Sequence, residues 1–160
     1  MIVRQASLEE VIGLIAHIPE LEQGHPIPFY QQRVHGKNHL ALVSEVRGQL
    51  AGFKLGYEVN PSHFYSWVGG VIPEFRSLGV AQELLAAQES LVWSRGYQVI
   101  SVKTAPRFAA MCSLLDKNGY VVGTRADCAL VYEKRNPTTR SREGLNNSST
   151  FGENRSSVQG

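Results

Sequence analysis

The sequence predicts one domain of the α+β class, in which strands and amphipathic helices follow one another along the chain. The chain has 160 residues, which is the size of a single domain. Residues Phe64–Ile72 are aromatic and β-branched, as in a mostly buried strand. After a short turn, apolar residues recur at helical spacing between Ala81 and Val92, which predicts a helix directly after that strand.

The composition excludes several classes of protein. A hydrophobic content of 42% and a charged content of 19% are ordinary for a globular domain. A net charge of +2 gives no argument for binding to nucleic acid or to a membrane surface. No apolar run approaches the ~18 residues needed to cross a bilayer, and we expect no signal peptide. Cys112 and Cys128 lack a CxxC spacing, so we expect a reduced, cytoplasmic setting and no metal site.

The N-terminal part of the chain predicts a strand and two helices. Met1–Gln5 is a short strand. Ser7 and Glu10 have the spacing of a capping box, and the helix that they begin ends at Pro19. A second, short helix is predicted from about Pro28 to Val34. The proline-rich loop and this helix together are open to two interpretations, a simple connector or a substrate lid.

Three strands come next. His39–Glu45 and Leu50–Tyr57 alternate in hydrophobicity and are joined by Arg47-Gly48, which predicts a hairpin. Residues Glu58–His63 contain Asn60-Pro61-Ser62 and are predicted to be a connection. The strand Phe64–Ile72 follows, and Pro73 ends it because proline cannot continue a sheet ladder.

The remaining elements follow the central helix, which Gly96 is placed to cap. A strand, a helix that ends at Gly119, and two short strands are predicted: Tyr97–Val102, Phe108–Leu115, Tyr120–Gly123 and Ala129–Tyr132. From about Asn136 the chain is rich in Ser, Asn, Thr and Gly and has too few large apolar side chains to form a core. We therefore expect a domain over residues 1–134 and a disordered polar tail over residues 135–160.

The turn between the central strand and helix has the chemistry of an anion site. The first turn of a helix has free backbone N–H groups and the positive end of the helix dipole, which favour a phosphate. Gly79 allows a ligand to approach the backbone, and Arg76 adds a positive charge. By itself, the pattern fits either a phosphate cradle or a plain strand–turn–helix with a loop glycine.

The order of elements and this turn together resemble the GNAT superfamily of acyl-CoA-dependent N-acetyltransferases. The pyrophosphate-binding signature of that family is Arg or Gln, two residues, Gly, one residue, and Gly or Ala; Arg76, Gly79 and Ala81 match it, after Val71-Ile72-Pro73. A second similarity lies at Lys117-Asn118-Gly119-Tyr120, which resembles the helix end of the family's last motif. The resemblance covers about residues 1–134.

The resemblance implies an α/β/α sandwich around a mixed, mostly antiparallel sheet of six to seven strands, splayed at the strand before the CoA-binding helix. Val71 and Ile72 would bind the pantetheine arm and the thioester of acetyl-CoA, the co-substrate, and no metal is implied. The pyrophosphate would lie beside Arg76 on the backbone N–H groups of Ser77, Leu78, Gly79, Val80 and Ala81. The acceptor amine would attack the thioester directly, without a covalent enzyme intermediate.

The general acid and base are less well marked. Tyr65, on the strand before the cradle and on the predicted face of Trp67 and Val71, is a candidate proton acceptor, or else a packed strand aromatic. Glu58 and His63 are candidates that act through water, or else ordinary loop residues. Glu20 and Glu22 are candidates for contact with a cationic acceptor.

Two positions depart from the family pattern. The tyrosine that often serves as general acid is replaced by Leu115, and no asparagine lies between Val102 and Lys117, where the family often has one on the pantetheine. We therefore expect an N-acetyltransferase for the primary amine of a small molecule or peptide, with solvent or another group protonating the thiolate. A non-catalytic acyl-CoA-binding or sensing domain and a site for another phosphate ligand are the alternatives. The oligomeric state is left open, a homodimer included.

Overall fold

The chain forms a mixed sheet with helices on both faces. The computed structural model describes residues 1–21 and 25–138, and the predicted tail beyond Thr138 lies outside that part. The elements, in chain order, are β1 (Ile2–Gln5), α1 (Leu8–Ile15), α2 (Ile27–Val34), β2 (His39–Val46), β3 (Gln49–Asn60), β4 (His63–Val71), α3 (Val80–Ser94), β5 (Val99–Thr104), α4 (Ala109–Lys117), β6 (Val121–Ala126) and β7 (Ala129–Arg135). This order confirms the predicted α+β fold.

The sheet has seven strands in the order β1-β2-β3-β4-β5-β7-β6. Every neighbouring pair is antiparallel except β4 and β5, which run parallel. The long connection through α3 is what makes that parallel pair possible, because a tight turn joins only antiparallel strands. The sheet is therefore mostly antiparallel, with one parallel join near its centre.

Two cores lie on opposite faces of the sheet. On the face covered by α3 and α4, residues of the two helices pack against the even-numbered side chains of β2. This core includes Val80, Leu84 and Leu85 of α3, Leu115 of α4, and Leu40 and Leu42 of β2. On the face covered by α1 and α2, the core includes Val11, Leu14, Ile15, Tyr30, Ala41, Val43, Phe53 and Leu55. We call these the α3/α4 face and the α1/α2 face. Burial on both faces produces the predicted three-layer sandwich.

Local signals fix several element ends as predicted. Glu10 N donates to Ser7 Oγ at 3.2 Å and Ser7 N donates to Glu10 Oε2 at 3.2 Å, which completes the capping box of α1. Arg47 and Gly48 both have positive φ, 52° and 76°, as a two-residue hairpin turn requires.

Several boundaries differ from the prediction by a few residues, and two of them have a clear cause. Residues 58–60, predicted to be part of a connection, continue β3, because pairing with β4 extends to Asn60 opposite His63. Tyr97, predicted to begin a strand, lies before β5, where Gln98 N and Val99 N both donate to the Ser62 carbonyl. In both places long-range pairing, not local composition, sets the boundary.

The ordered chain continues past β7. Asn136, which we assigned to the tail, is buried; its Nδ2 donates to the Tyr97 carbonyl at 3.0 Å and its backbone N donates to the Gln98 carbonyl at 2.8 Å. These two bonds tie the end of β7 to the start of β5. The packed part of the described chain therefore extends past residue 134, where we expected the domain to end.

A lysine is buried under α3. Lys54 is only 6% exposed. It lies two residues from Gly52 in β3 and therefore on the same face, and Val80 and Leu84 of α3 pack against Gly52. Burial lowers the pKa of Lys54 to about 8, because water no longer stabilises the ammonium, and Glu89 offsets only part of this effect. The charged form of Lys54 is therefore an energetic cost to the folded state.

We expect Lys54→Met to stabilise the protein, and to do so most at neutral pH. Below about pH 8 both the folded and the unfolded chain hold the proton on Lys54, so the folded state carries the full cost. Between that pH and the ordinary lysine pKa only the unfolded chain holds it, so the stability of the wild type rises with pH. The gain should be on the order of 3 kcal/mol at pH 7, at ~1.4 kcal/mol per pH unit, and should shrink towards pH 10.

Urea unfolding of both proteins at pH 7 and pH 9.5 measures this gain. Lys103→Met, at an exposed lysine of β5, is the matched control and should change the free energy of unfolding little at either pH. A gain from Lys54→Met that is equal at the two pH values would contradict the burial argument.

Candidate active site

Strands β4 and β5 separate part of the way along their length. They pair in register from His63 opposite Val99 to Ser66 opposite Val102. Beyond that row β4 continues to Val71 and β5 to Thr104, and no further pairing between them is present in the described chain. We call this opening the fork. The edge of β4 that faces it has backbone groups available to an extended ligand.

A β-bulge marks the start of the fork. Gly56 lies opposite Ser66 and Leu55 lies opposite Val68, so Trp67 is an extra residue in β4. Trp67 and Val68 consequently both pack on the α1/α2 face, and Val71 packs on the α3/α4 face. The predicted common face of Tyr65, Trp67 and Val71 is therefore wrong for Val71, because the extra residue reverses the alternation.

The start of α3 forms an open backbone cradle next to the end of β4. Gly79 caps the helix with φ 82°, and Ser77 has φ 66°. In the described structure the N–H groups of residues 77–81 donate to no protein acceptor. No heavy atom lies within 4 Å of the position that a Cβ on Gly79 would occupy. Free donors, the helix dipole and open space together suit a phosphate.

The side chains of the cradle differ in what they can contribute. Leu78 is 54% exposed, whereas Val80 is buried in the core, so Val80 offers only its backbone. The Ile72 N–H donates to the Ala51 carbonyl at 2.8 Å and is therefore already used. The Val71 carbonyl accepts from Arg76 Nε at 3.2 Å. Among the predicted cofactor residues, those from Ser77 to Ala81 keep the most free donors.

Arg76 also joins the cradle to the α1–α2 connection. Its Nη2 donates to Glu20 Oε2 at 2.6 Å, and both side chains are about half exposed. The hydrogen bond from Arg76 lowers the pKa of Glu20. Glu20, predicted as a contact for a cationic acceptor, is thus engaged with Arg76, and Glu22 lies outside the described residues.

Tyr65 lies at the fork in a row of residues that crosses four strands. Register places Tyr57 of β3, Tyr65 of β4, Ser101 of β5 and Glu133 of β7 opposite one another, so their side chains share the α1/α2 face. Burial raises the pKa of Tyr65, with a smaller contribution from Tyr57. Its phenol is therefore protonated at neutral pH and suited to donate a hydrogen bond.

Glu58 lies on the opposite face of the sheet from Tyr65. It is opposite Phe64, and its Oε1 accepts from Tyr97 Oη at 2.9 Å and from Asn38 Nδ2 at 3.4 Å. Together with Tyr97 and Arg95 it lines a cleft of about 590 Å³. Arg95 is the residue directly after α3. The structure does not bring Glu58 to the fork or to Tyr65.

A serine–histidine pair in the paired part of β4 and β5 was not predicted. His63 Nε2 and Ser101 Oγ are 2.6 Å apart, Ser101 is buried, and both lie on the face of Tyr65. His63 was a candidate, but the sequence gives no reason to join it to a residue 38 positions away. The one local signal is a serine within the apolar run of β5.

The departure at Leu115 is a packing feature. Leu115 is fully buried on the α3/α4 face, and its side chain has no polar atom that could donate a proton.

Within residues 1–21 and 25–138, no group of three or more His, Cys, Asp and Glu side chains is arranged to hold a metal ion. None of the described helices combines the length and apolar character needed to cross a membrane.

Comparison with known proteins identifies the family. A sequence model described as the acetyltransferase (GNAT) family matches residues 8–120. The chain therefore belongs to the GNAT family and is an acetyltransferase, as the resemblance implied.

Solved structures share the fold. The ribosomal-protein-S18-alanine N-acetyltransferase of Escherichia coli is similar with a TM-score of 0.70 and 15% identity, over 84% of this chain and 93% of that chain. The PaiA N-acetyltransferase of Thermoplasma acidophilum, in complex with coenzyme A, has a TM-score of 0.67 and 16% identity, over 84% and 98%. A GNAT family acetyltransferase of Elizabethkingia anophelis with acetyl-CoA bound has a TM-score of 0.68 and 10% identity, over 84% and 97%.

We expect Gly79→Asp to weaken acetyl-CoA binding at least tenfold, because it places bulk and negative charge at the cradle. Gly96→Asp is the matched control. Gly96 has φ 91°, is equally open, and lies beyond the other end of α3, so it carries the same backbone strain away from the cradle. Calorimetric titration with acetyl-CoA measures both variants. Equal affinity of the two would refute the cradle.

Proposed function

We propose that this acetyltransferase moves the acetyl group of acetyl-CoA to a primary amine of a small molecule or peptide. The observation that supports this best is that the fork adjoins the cradle. The Arg76 bond to the Val71 carbonyl ties the end of β4 to the turn before α3. A long thioester with phosphates at one end can therefore be held at both places.

For the donor, we propose that the backbone N–H groups of Ser77, Leu78, Gly79, Val80 and Ala81 bind the pyrophosphate beside Arg76. The pantetheine would pair with the free edge of β4 that ends at Val71, as an added strand does. Ile72 would contribute its side chain only, since its N–H is already bonded. Holding the thioester in this way reduces the entropic cost of bringing it to the amine.

The acceptor would approach from the α1/α2 face, on which Tyr65, Ser101 and His63 lie. The amine nitrogen forms a bond to the carbonyl carbon and loses a proton, while the carbon–sulfur bond breaks and the thiolate leaves. We propose the His63–Ser101 pair as the proton acceptor, since a histidine that bonds a serine hydroxyl can accept a proton through it. Protonated Tyr65 would donate to the developing negative charge on oxygen or sulfur.

A catalytic role of Glu58 through water remains a prediction. Its hydrogen bonds to Tyr97 and Asn38 favour a structural role beside the start of β4. Leu115 keeps the alternative open that the domain binds acyl-CoA without turnover. The two functions differ in one measurable quantity, the release of free coenzyme A thiol that depends on an added amine.

A thiol-release assay with acetyl-CoA over a panel of primary amines tests the proposal. We expect at least one amine to raise the rate well above that of hydrolysis alone. Tight binding of acetyl-CoA without turnover on any amine would favour the binding domain. Thermal stabilisation by a nucleotide but not by coenzyme A would favour a site for another phosphate ligand.

We expect Tyr65→Phe to lower kcat at least tenfold and to leave the affinity for acetyl-CoA unchanged, because only the donated hydrogen bond is lost. Tyr97→Phe, which removes a hydroxyl from the α3/α4 face, is the control and should keep kcat within about twofold of the wild type. A similar loss of kcat in both variants would show that Tyr65 has only a packing role.

A further inference from the structure

Helix α2 presents an arginine to the fork. The guanidinium carbon of Arg33 lies 4.9 Å from the centre of the Trp67 ring and 5.4 Å from that of Phe29. Arg33 Nη1 donates to Tyr57 Oη at 3.2 Å. Trp67 is the bulged residue at which β4 leaves β5, so the charge lies directly over the start of the fork. The positive charge of Arg33 offsets a small part of the rise in the pKa of Tyr65 that burial causes.

Within the part of the chain that the structure describes, Arg33 uses little of its hydrogen-bonding capacity. A guanidinium has five N–H donors, and one of them binds Tyr57. The ion pairs within residues 1–21 and 25–138 involve Arg4, Arg76 and Lys134, and none involves Arg33. A partly buried guanidinium on aromatic rings, with donors to spare, suits a carboxylate, which it can bind through two parallel hydrogen bonds.

The charges on this face are distributed along the row that crosses the sheet. Lys37 lies 4.7 Å over the Tyr57 ring and adds a second positive charge at the α2 end. Glu133, opposite Ser101, supplies a negative charge at the other end. A ligand with a negative group at the α2 end and an ammonium group near Ser101 matches this polarity. A polyamine would instead meet like charges at Arg33 and Lys37.

We propose that Arg33 is the specificity-determining residue for the acceptor, and that it selects an amine that also carries a carboxylate. This inference rests on the proposed acetyl transfer at the fork. The partly exposed aromatic rings of Phe29 and Trp67 would contact the apolar body of the acceptor. Two strand spacings separate Tyr57 from Ser101, so the amine and the carboxylate would be up to ~10 Å apart. The substrate class is therefore amino acids with an aromatic or apolar body.

Matched pairs of amines that differ only in a carboxylate test the proposal. 4-(Aminomethyl)benzoate is compared with benzylamine, and phenylalanine with 2-phenylethylamine, by kcat/KM at saturating acetyl-CoA. In the wild type we expect the carboxylate to raise kcat/KM on the order of ten- to hundredfold in at least one pair, the range for a charged hydrogen bond. Arg33→Met should reduce that preference to about threefold or less, and Arg33→Lys should keep part of it.

The control is Arg95→Met, which removes the same charge from the opposite face and should leave the preference intact. Because the preference is a ratio within one variant, a general loss of activity cancels. A wild type without preference in either pair, or a preference that survives in Arg33→Met, would overturn the inference.

A binding measurement separates this inference from the proposed function. Calorimetry compares 4-(acetamidomethyl)benzoate, the acetylated product, with N-acetylbenzylamine in the presence of coenzyme A, and it needs no turnover. Tighter binding of the carboxylate in the wild type but not in Arg33→Met supports the role of Arg33 even if no amine is acetylated, in which case the proposed function alone fails. Equal binding of the two compounds by the wild type overturns the role of Arg33.

Discussion

The parallel pairing of β4 and β5, and its end after Ser66 and Val102, is the constraint on which the rest of the structure depends. The pairing holds the two halves of the sheet together, and its end leaves one strand edge free in the middle of a buried sheet. An edge in that place would be costly unless a ligand could use its backbone groups. The helix cradle lies at the end of the same strand, so one strand and one turn would position both parts of the proposed thioester site.

The two faces of the sheet have separate tasks in the proposed reaction. The cradle and the α3/α4 face serve the donor, and their chemistry is mostly backbone, so it tolerates many side chains. The α1/α2 face serves the acceptor, and its chemistry is in side chains such as Arg33, Tyr65 and the His63–Ser101 pair. This division explains why the sequence of the cradle is sufficient to identify the family, whereas the class of acceptor has to be inferred from side chains on the α1/α2 face.

Local signals were predictable and long-range ones were not. The capping box of Ser7 and Glu10 and the turn at Gly79 are determined within a few residues, so the sequence alone was sufficient. The bulge at Trp67 depends on the register between β3 and β4, and no residue type in β4 indicates it. The face of Val71 was therefore predicted wrongly. Ser101 meets His63, and Asn136 meets Tyr97, only after distant segments pair, and composition does not contain that information.

The extra residue at Trp67 also limits how this chain can change in length. Up to Trp67 the odd-numbered side chains of β4 point to the α1/α2 face, and from Val68 onwards the even-numbered ones do. Deleting Trp67 alone would restore simple alternation and leave Val68 to Val71 on their present faces, because Val68 would stay opposite Leu55. A one-residue insertion elsewhere in the strand would move every later side chain to the other face and disturb both cores. The bulge is therefore the place in β4 where the strand can lose a residue without exchanging its two faces.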